Sequence, residues 1–519
     1  MTLLTACLCA AATLALGLPA VARAPWLDEA ATLQALQAQT LAGWLSAVVH
    51  DTTPPAFAAL LGVWSRVSSN LAWLRLLPMG LGMATVLTGV AWAGQASRRA
   101  AAYAGVLLAT SPFLLRYDVE LRAYALLGFT TVCACAYAWR IADAKPEAVD
   151  RRDRYALCGI LLLGCLSHYV AVLLVPSIAA FILIGATHQR FARVPWTGMG
   201  IVVVAWGLVL IGSPLALRHV QDDWWMPALG WDLLWRSTAE VAGASNPGAY
   251  VGLPGVIVGA TIAAGALVVV LAAPRKREWL APLGAAVAYV VGVAATSLVW
   301  QPVWWPRTLL PAVIFAIVAF GIAVASASEA KWRRLANASV AALAIAWTVM
   351  WVSGRPWEGL EAWPQAAAHV VTGSAHPTVV AFPDFAAWPF ERAIAERSQV
   401  EIRRLRLDGR NGSEVLDPLR HRSGPIYLLV RVDPALLRRP GALGEMVDRV
   451  RARLGPDPGI TALIVTSPDV SLVPVLEQLR DDLVWLVQTR FRGSGWPGCA
   501  RSQEGPRLTI VTCGGELLD

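Results

Sequence analysis

Apolar positions come in long uninterrupted blocks, separated by short charged punctuation, over the first two thirds of the chain. The segments Met1–Ala22, Leu76–Ser97, Val194–Leu217 and Thr308–Ser328 contain no Asp, Glu, Lys or Arg. About 20 apolar residues in a helix cross the hydrocarbon core of a bilayer. Reading the blocks between charges predicts eleven helical spans: 2–22, 72–96, 100–115, 123–140, 155–167, 170–187, 197–217, 250–273, 279–299, 307–327 and 335–353. Tyr155–Gln189 is uncharged but too long for one helix, and the reading divides it at Ser167-His168-Tyr169. From about Arg355 the apolar runs shorten to strand length (Thr378–Phe382, Ile426–Val432, Thr461–Thr466, Leu508–Cys513), with charged helical stretches between them such as Gly444–Leu454 and Val473–Asp482. That alternation predicts a soluble α/β domain. The expected organisation is a polytopic α-helical membrane domain over 1–354 and an extracytoplasmic α/β domain over 355–519.

Composition supports this division. The 519 residues are 56% hydrophobic and only 15% charged, with a mean hydropathy of +0.54. A soluble protein carries roughly 25% charged residues, so soluble-enzyme and β-barrel readings are excluded. The 24 Trp residues outnumber Phe and Tyr together, as suits rings anchored at a membrane interface. The net charge of +8 fits basic cytoplasmic loops better than nucleic acid, for which there is no zinc knuckle or basic aromatic helix. Arg98-Arg99, Arg140 to Arg154, Arg190/Arg193, Arg275-Lys276-Arg277 and Lys331/Arg333/Arg334 fall on one side of the predicted spans. The positive-inside rule places them in the cytoplasm, with the amino terminus inside and the carboxyl terminus outside. The first 24 residues also resemble a signal peptide, but they lack a basic start and are long enough to span, so an uncleaved first helix is the expectation. Six cysteines lie in spans as small apolar packers. Cys499 and Cys513 lie in the exported tail, where oxidising conditions favour a disulfide; two free thiols are the alternative.

Ionisable residues gather in the predicted outward loops. The first opens with Asp28-Glu29, two adjacent carboxylates at the depth of lipid phosphates, suited to general-base work or simply to an acidic helix start. Leu33, Leu36, Leu41, Trp44 and Leu45 extend that helix as an interfacial stripe. His50 and Asp51 precede Pro54-Pro55, a second helix start with Thr53 or Asp51 as its cap. The second loop holds Arg116, Tyr117, Asp118, Glu120, Arg122 and Tyr124. Such charges between spans must pair with one another or bind something. His168-Tyr169 marks a third turn, read as a structural histidine or as a ligand contact. Trp304, Trp305 and Arg307 mark a fourth, where Arg307 is suited to a bidentate grip on phosphate. No phosphate-binding glycine loop, dinucleotide fingerprint or metal-ligand cluster is present.

In order and spacing, Asp28-Glu29, Asp51-x-x-Pro54-Pro55, Tyr117-x-x-Glu120-x-Arg122-x-Tyr124, His168-Tyr169 and the stretch from Pro306-Arg307 to Pro311 resemble the GT-C membrane glycosyltransferases. The similar branch contains the protein O-mannosyltransferase-like and aminoarabinose-transferase-like enzymes. The resemblance implies inverting transfer of a hexosyl or pentosyl group from a polyprenyl-phosphate-linked donor, at the outer face of a bacterial plasma membrane. The acceptor would be a lipid, protein or polysaccharide. It implies Asp28 as catalytic base with Glu29 beside it, and Arg122, Arg307 and Arg116 as the donor-phosphate contacts. His50, Asp51, Tyr117, Asp118, Glu120, Tyr124, His168 and Tyr169 become substrate-binding candidates. The family often carries His directly before Pro-Pro; here Thr53 stands there and His50 lies three residues earlier. With no paired-aspartate motif in the first loop, no cofactor and no catalytic metal are expected. A transporter or flippase of lipid-linked saccharides, or an inactive scaffold, are the rival readings. Charges clustered in loops rather than at mid-membrane, and the absence of an internal repeat of spans, weigh against transport.

Overall fold

A computed structural model describes residues 2–23, 27–36, 38, 40–50, 54–144, 150–211, 226–243, 258–259, 261–262, 264–266, 268–269, 277–353, 362–373, 376–394, 400–406, 411–421, 426–432, 436, 441–453, 460–466, 473–492, 499–503 and 508–513. The chain divides into two compact units: Met1–Arg23 with Thr32–Pro356, and Trp357–Asp519 with Ala24–Ala31.

The first unit is helical. Its helices are α1 (Thr2–Gly17), α2 (Leu27–Leu36, whose first residues fall in the second unit), α3 (Leu41–His50), α4 (Pro55–Trp64), α5 (Leu71–Gly94), α6 (Arg98–Thr110), α7 (Pro112–Asp118), α8 (Tyr124–Asp143), α9 (Arg151–Cys165), α10 (Leu174–Gly185), α11 (Arg190–Arg193), α12 (Trp196–Ile211), α13 (Trp231–Val241), α14 (Arg277–Val299), α15 (Leu310–Ala325) and α16 (Ala330–Val352). Among the described residues six helical segments are long and apolar enough to cross a membrane, and Tyr169–Gly185 and Trp196–Ile211 are shorter apolar helices. The chain is a multi-pass membrane protein. The expected span at 250–273 lies largely outside the described residues.

Local chemistry sets the helix boundaries. Asn70 accepts from the Ala72 amide at the start of α5, Ser97 from Ala100 at the start of α6, and Asp150 from Arg152 at the start of α9. Ser111 caps α7 with Pro112 in its first turn. These side chains satisfy amides that the first helical turn leaves open. The single helix expected through Leu33 and Leu45 is in fact two: Thr40 begins α3, its hydroxyl accepting from the Gly43 amide. At α4 the cap position is held by Pro54 without a side-chain bond, not by Thr53 or Asp51. Proline in the first turn presents no amide to satisfy there. The outer part of α2 joins α4, α5 and the α7–α8 turn in one apolar cluster of Leu33, Phe57, Leu61, Leu74, Leu121, Ala123 and Leu126. That cluster holds the turn bearing Glu120 and Arg122 in place.

The second unit continues with α17 (Trp363–Gly373), β1 (Thr378–Phe382), α18 (Ala387–Ile394), β2 (Glu401–Arg404), α19 (Gly412–Leu416), β3 (Ile426–Val432), α20 (Ala442–Arg453), β4 (Ile460–Thr466), α21 (Val473–Arg492), β5 (Cys499–Gln503) and β6 (Leu508–Cys513). The sheet order is β2-β1-β3-β4-β6-β5. The first four strands are parallel, and β6 and β5 add antiparallel at one edge. β1 and β3 are buried at every residue, as expected of strands covered by helices on both faces. The two strands that the hydrophobic pattern misses, β2 (EIRR) and β5 (CARSQ), are polar edge strands, which proteins keep polar to discourage further pairing. Cys499 and Cys513 face each other across β5 and β6 and form a disulfide.

In the membrane unit α15 packs on α6 through Gly321. A Cβ there would lie 2.9 Å from the Ala104 backbone nitrogen and 3.1 Å from its Cα. Helix backbones cannot yield as a flexible side chain does, so Gly321→Ala should cost about 1–3 kcal/mol. Thermal unfolding of the detergent-purified variant should show the loss; an unchanged midpoint would contradict this packing.

Candidate functional site

Helix α7, the turn after it and the start of α8 bring the second-loop residues together. Their aromatic rings form a run: Phe113 meets Tyr117 edge-on at 5.0 Å between centroids, Tyr117 meets Tyr124 at 5.0 Å, and Tyr124 meets His168 at 5.6 Å. Guanidiniums lie along this run. The Arg116 Cζ is 5.6 Å from the Tyr117 ring centroid and the Arg307 Cζ is 5.8 Å from that of Tyr124, within cation–π range. Arg307 is delivered by a short 3-10 turn, Pro306–Leu309, whose Thr308 hydroxyl bonds the backbone of Val303 and Trp305.

The partner of Arg116 lies far away in sequence. Its Nη1 donates to Glu240 Oε1 on α13 at 3.2 Å, and the Tyr117 hydroxyl donates to the same oxygen at 3.4 Å. Arg122 is buried and donates from Nη1 to Thr32 Oγ1 at 3.0 Å. Glu120 is buried as well. Two groups, buried Tyr117 and half-buried His168, register the proximity of these charges. Burial first, then Glu240 and Glu120, push the Tyr117 phenol up, against the opposing pull of Arg116 and Arg307. Burial, then Arg307 and Arg122, push the His168 imidazole down to about 3. His168 Nδ1 accepts from the Val170 amide at 3.3 Å, which assigns the proton of the neutral ring to Nε2. Among the described residues the cluster includes Arg116, Arg122, Arg307, Glu120 and Glu240, around the Tyr117 ring and the His168 imidazole.

The remaining expected site residues are spread over several elements. Asp28 and Glu29 occupy the first turn of α2, half-buried and fully buried respectively, in the residues grouped with the second unit. His50 is the last residue of α3, and Asp51 lies outside the described residues. Tyr169 is buried and its carbonyl accepts from the Trp206 indole at 3.0 Å. Asp118 lines a cavity of about 10 Å³ together with Gly82, Thr85, Tyr124 and apolar side chains. Burial pushes its carboxyl well above the usual carboxylate range. A Cβ on Gly82 would fall 2.3 Å from the Asp118 carboxyl carbon, so a glycine on α5 is what admits this acid. Among the described residues no cluster of three His, Cys, Asp or Glu is suited to hold a metal ion.

Three structural contributors were not singled out from sequence. Glu240 sits on a helix that the charge pair Asp232–Arg236, four residues apart, could have announced. Thr32 carries no signal beyond its place one turn after Asp28. Arg75, fully buried, donates to the Val21 and Arg23 carbonyls and so fixes the chain as it leaves α1.

The fold has known counterparts. The chain is similar to the aminoarabinose transferase ArnT from Cupriavidus metallidurans, with a TM-score of 0.53 in its apo form and 0.51 in its complex with undecaprenyl phosphate. Identity is 13% in both, and each comparison covers 97% of both chains. No family profile and no curated protein sequence matches the chain. At that identity the likeness establishes the fold: this is a GT-C membrane architecture with a C-terminal α/β domain.

The histidine yields a test by pH. An unfolded chain, with imidazole near 6.5, takes up a proton between about pH 6.5 and 3 that folded His168 does not. Acidification through that window therefore favours unfolding. His168→Asn keeps a capping side chain and removes the titration. Its unfolding temperature should fall less than that of the wild type between pH 7 and pH 5; identical slopes would place the imidazole in a different environment.

Proposed function

We propose that this GT-C chain is an inverting glycosyltransferase that moves a sugar from a polyprenyl-phosphate-linked donor to an acceptor on the extracytoplasmic side of a bacterial plasma membrane. The observation that carries the reading is the convergence of three guanidiniums: Arg116 and Arg307 lie against the Tyr117 and Tyr124 rings, and Arg307 and Arg122 both act on the His168 imidazole. Guanidiniums gathered in this way suit the negative charge of a donor phosphodiester. ArnT, which shares the fold, is known in complex with undecaprenyl phosphate.

In the proposed reaction an acceptor hydroxyl oxygen attacks the anomeric carbon. The bond from that carbon to the phosphate oxygen breaks, its electron pair going to the phosphate. Asp28 takes the hydroxyl proton, and Glu29 orients the acceptor or tunes Asp28. Charge on the leaving phosphate grows as the bond breaks, and guanidiniums already in place stabilise it without reorganising. Inversion requires base and leaving group on opposite faces of the sugar, and two different loops supply them. His50, Asp51, Glu120 and Tyr169 remain proposed substrate contacts, and the C-terminal unit is proposed to help position the acceptor.

The test uses purified wild type and Asp28→Asn in nanodiscs, with a panel of labelled polyprenyl-phosphate sugars and extracted envelope material as acceptor. Wild type should transfer sugar. The variant should bind donor but transfer about 100- to 10,000-fold more slowly, the range a general base contributes. Equal rates would remove Asp28 from the mechanism. Donor binding without transfer by either protein would favour transport or scaffolding.

A further inference from the structure

Some polar side chains on α13 and in the segment leading to Arg307 are buried with no hydrogen-bond partner among the described residues. They are Ser237 at Oγ, Gln301 at both Oε1 and Nε2, and Trp304 at Nε1. Their residues are 0%, 2% and 5% exposed. Such atoms are rare in folded proteins because each forfeits its bonds to water. Ser237 lies on α13, which packs against the Pro306–Leu309 turn, and Gln301 and Trp304 lie in the segment just before that turn. Ser237 lies three residues before Glu240, hence on the same face as the carboxylate that holds Arg116.

The backbone of the same segment is well satisfied. The Gln301 amide donates to the Thr296 carbonyl, the Val303 amide to Ser297 Oγ, and the Val303 carbonyl accepts from Thr308. The segment is thus held in a defined conformation while its polar side chains are left over, which is the arrangement of a site rather than of a loose loop. The chemistry is selective too. An amide that both donates and accepts, an indole N–H and a hydroxyl are all neutral. They suit a ligand with adjacent hydroxyl groups, whereas a phosphate calls for donors and positive charge, as at the neighbouring guanidiniums.

We propose that Gln301, Trp304 and Ser237 form a subsite for the hydroxyl groups of the donor's sugar, adjacent to the cations that take its phosphate. The proposal rests on the glycosyltransferase reading and adds residues that set which sugar is accepted. Because the polar atoms are sealed from solvent in this arrangement, sugar entry requires the segment 300–305 to shift. A site built to bond hydroxyls discriminates sharply, since a sugar lacking them leaves its buried groups unpaired.

The experiment measures binding of bare undecaprenyl phosphate and of a panel of undecaprenyl-phosphate pentoses and hexoses to full-length protein in nanodiscs. It compares wild type with Gln301→Met and Trp304→Phe, which keep side-chain bulk and remove only polar atoms. Wild type should prefer one sugar-bearing lipid over the bare phosphate lipid. Each variant should lose about tenfold or more of its affinity for that lipid, bind the bare lipid as before, and melt at or above the wild-type temperature. Unchanged affinity for the sugar-bearing lipid would overturn the subsite, as would equal weakening toward both lipids. A lower melting temperature with unchanged binding would assign these atoms to structural water. Failure of wild type to bind any of the lipids would instead sink the donor reading, and that arm is read before any variant.

Discussion

A guanidinium held at the edge of a hydrocarbon layer is tolerable only when an anion or a ring of electrons faces it. Arg116 meets that condition by reaching Glu240 on a helix 124 residues away, and Arg307 by lying against the ring of Tyr124. The fold around the site follows from this requirement. α7 turns so that Arg116 and Tyr117 face α13, and the aromatic run from Phe113 to His168 sets the Tyr124 ring against Arg307. Burial, with Arg307 and Arg122 nearby, keeps the imidazole of His168 neutral.

The neutral groups matter as much as the charged ones. Asp118 lies beside the arginines in sequence yet points into a small cavity against Gly82, where burial favours its acid form. The His168 imidazole, held down by burial and by Arg307 and Arg122, accepts the Val170 amide at Nδ1, which leaves the proton of the neutral ring on Nε2.

Much of the architecture was legible because one-dimensional patterns carry it. The long uncharged blocks gave α5, α8, α14, α15 and α16, whereas the caps Asn70, Ser97 and Ser111 emerged only in the structure. The alternation of short apolar runs gave β1, β3, β4 and β6. The edge strands β2 and β5 escaped because their job is to be polar. The break between α2 and α3 escaped because a lone Thr40 outweighs a continuing apolar stripe. At the site, the loop of Arg116 to Tyr124 announced itself by the cost of its charges. Glu240, Thr32 and Arg75 did not, since a long-range ion pair or a side-chain bond to a distant carbonyl leaves no local trace. The unsatisfied amide of Gln301 could be noticed only once its burial was known.

The account stands on the arginines holding a lipid phosphate, and the most direct measurement is an experimental structure of the protein in nanodiscs with undecaprenyl phosphate added. The account predicts phosphate density within hydrogen-bonding distance of Arg307 and Arg122, with the Arg116 side chain turned from Glu240 toward it. Phosphate bound elsewhere on the protein, with the Arg116–Glu240 pair intact, would contradict it.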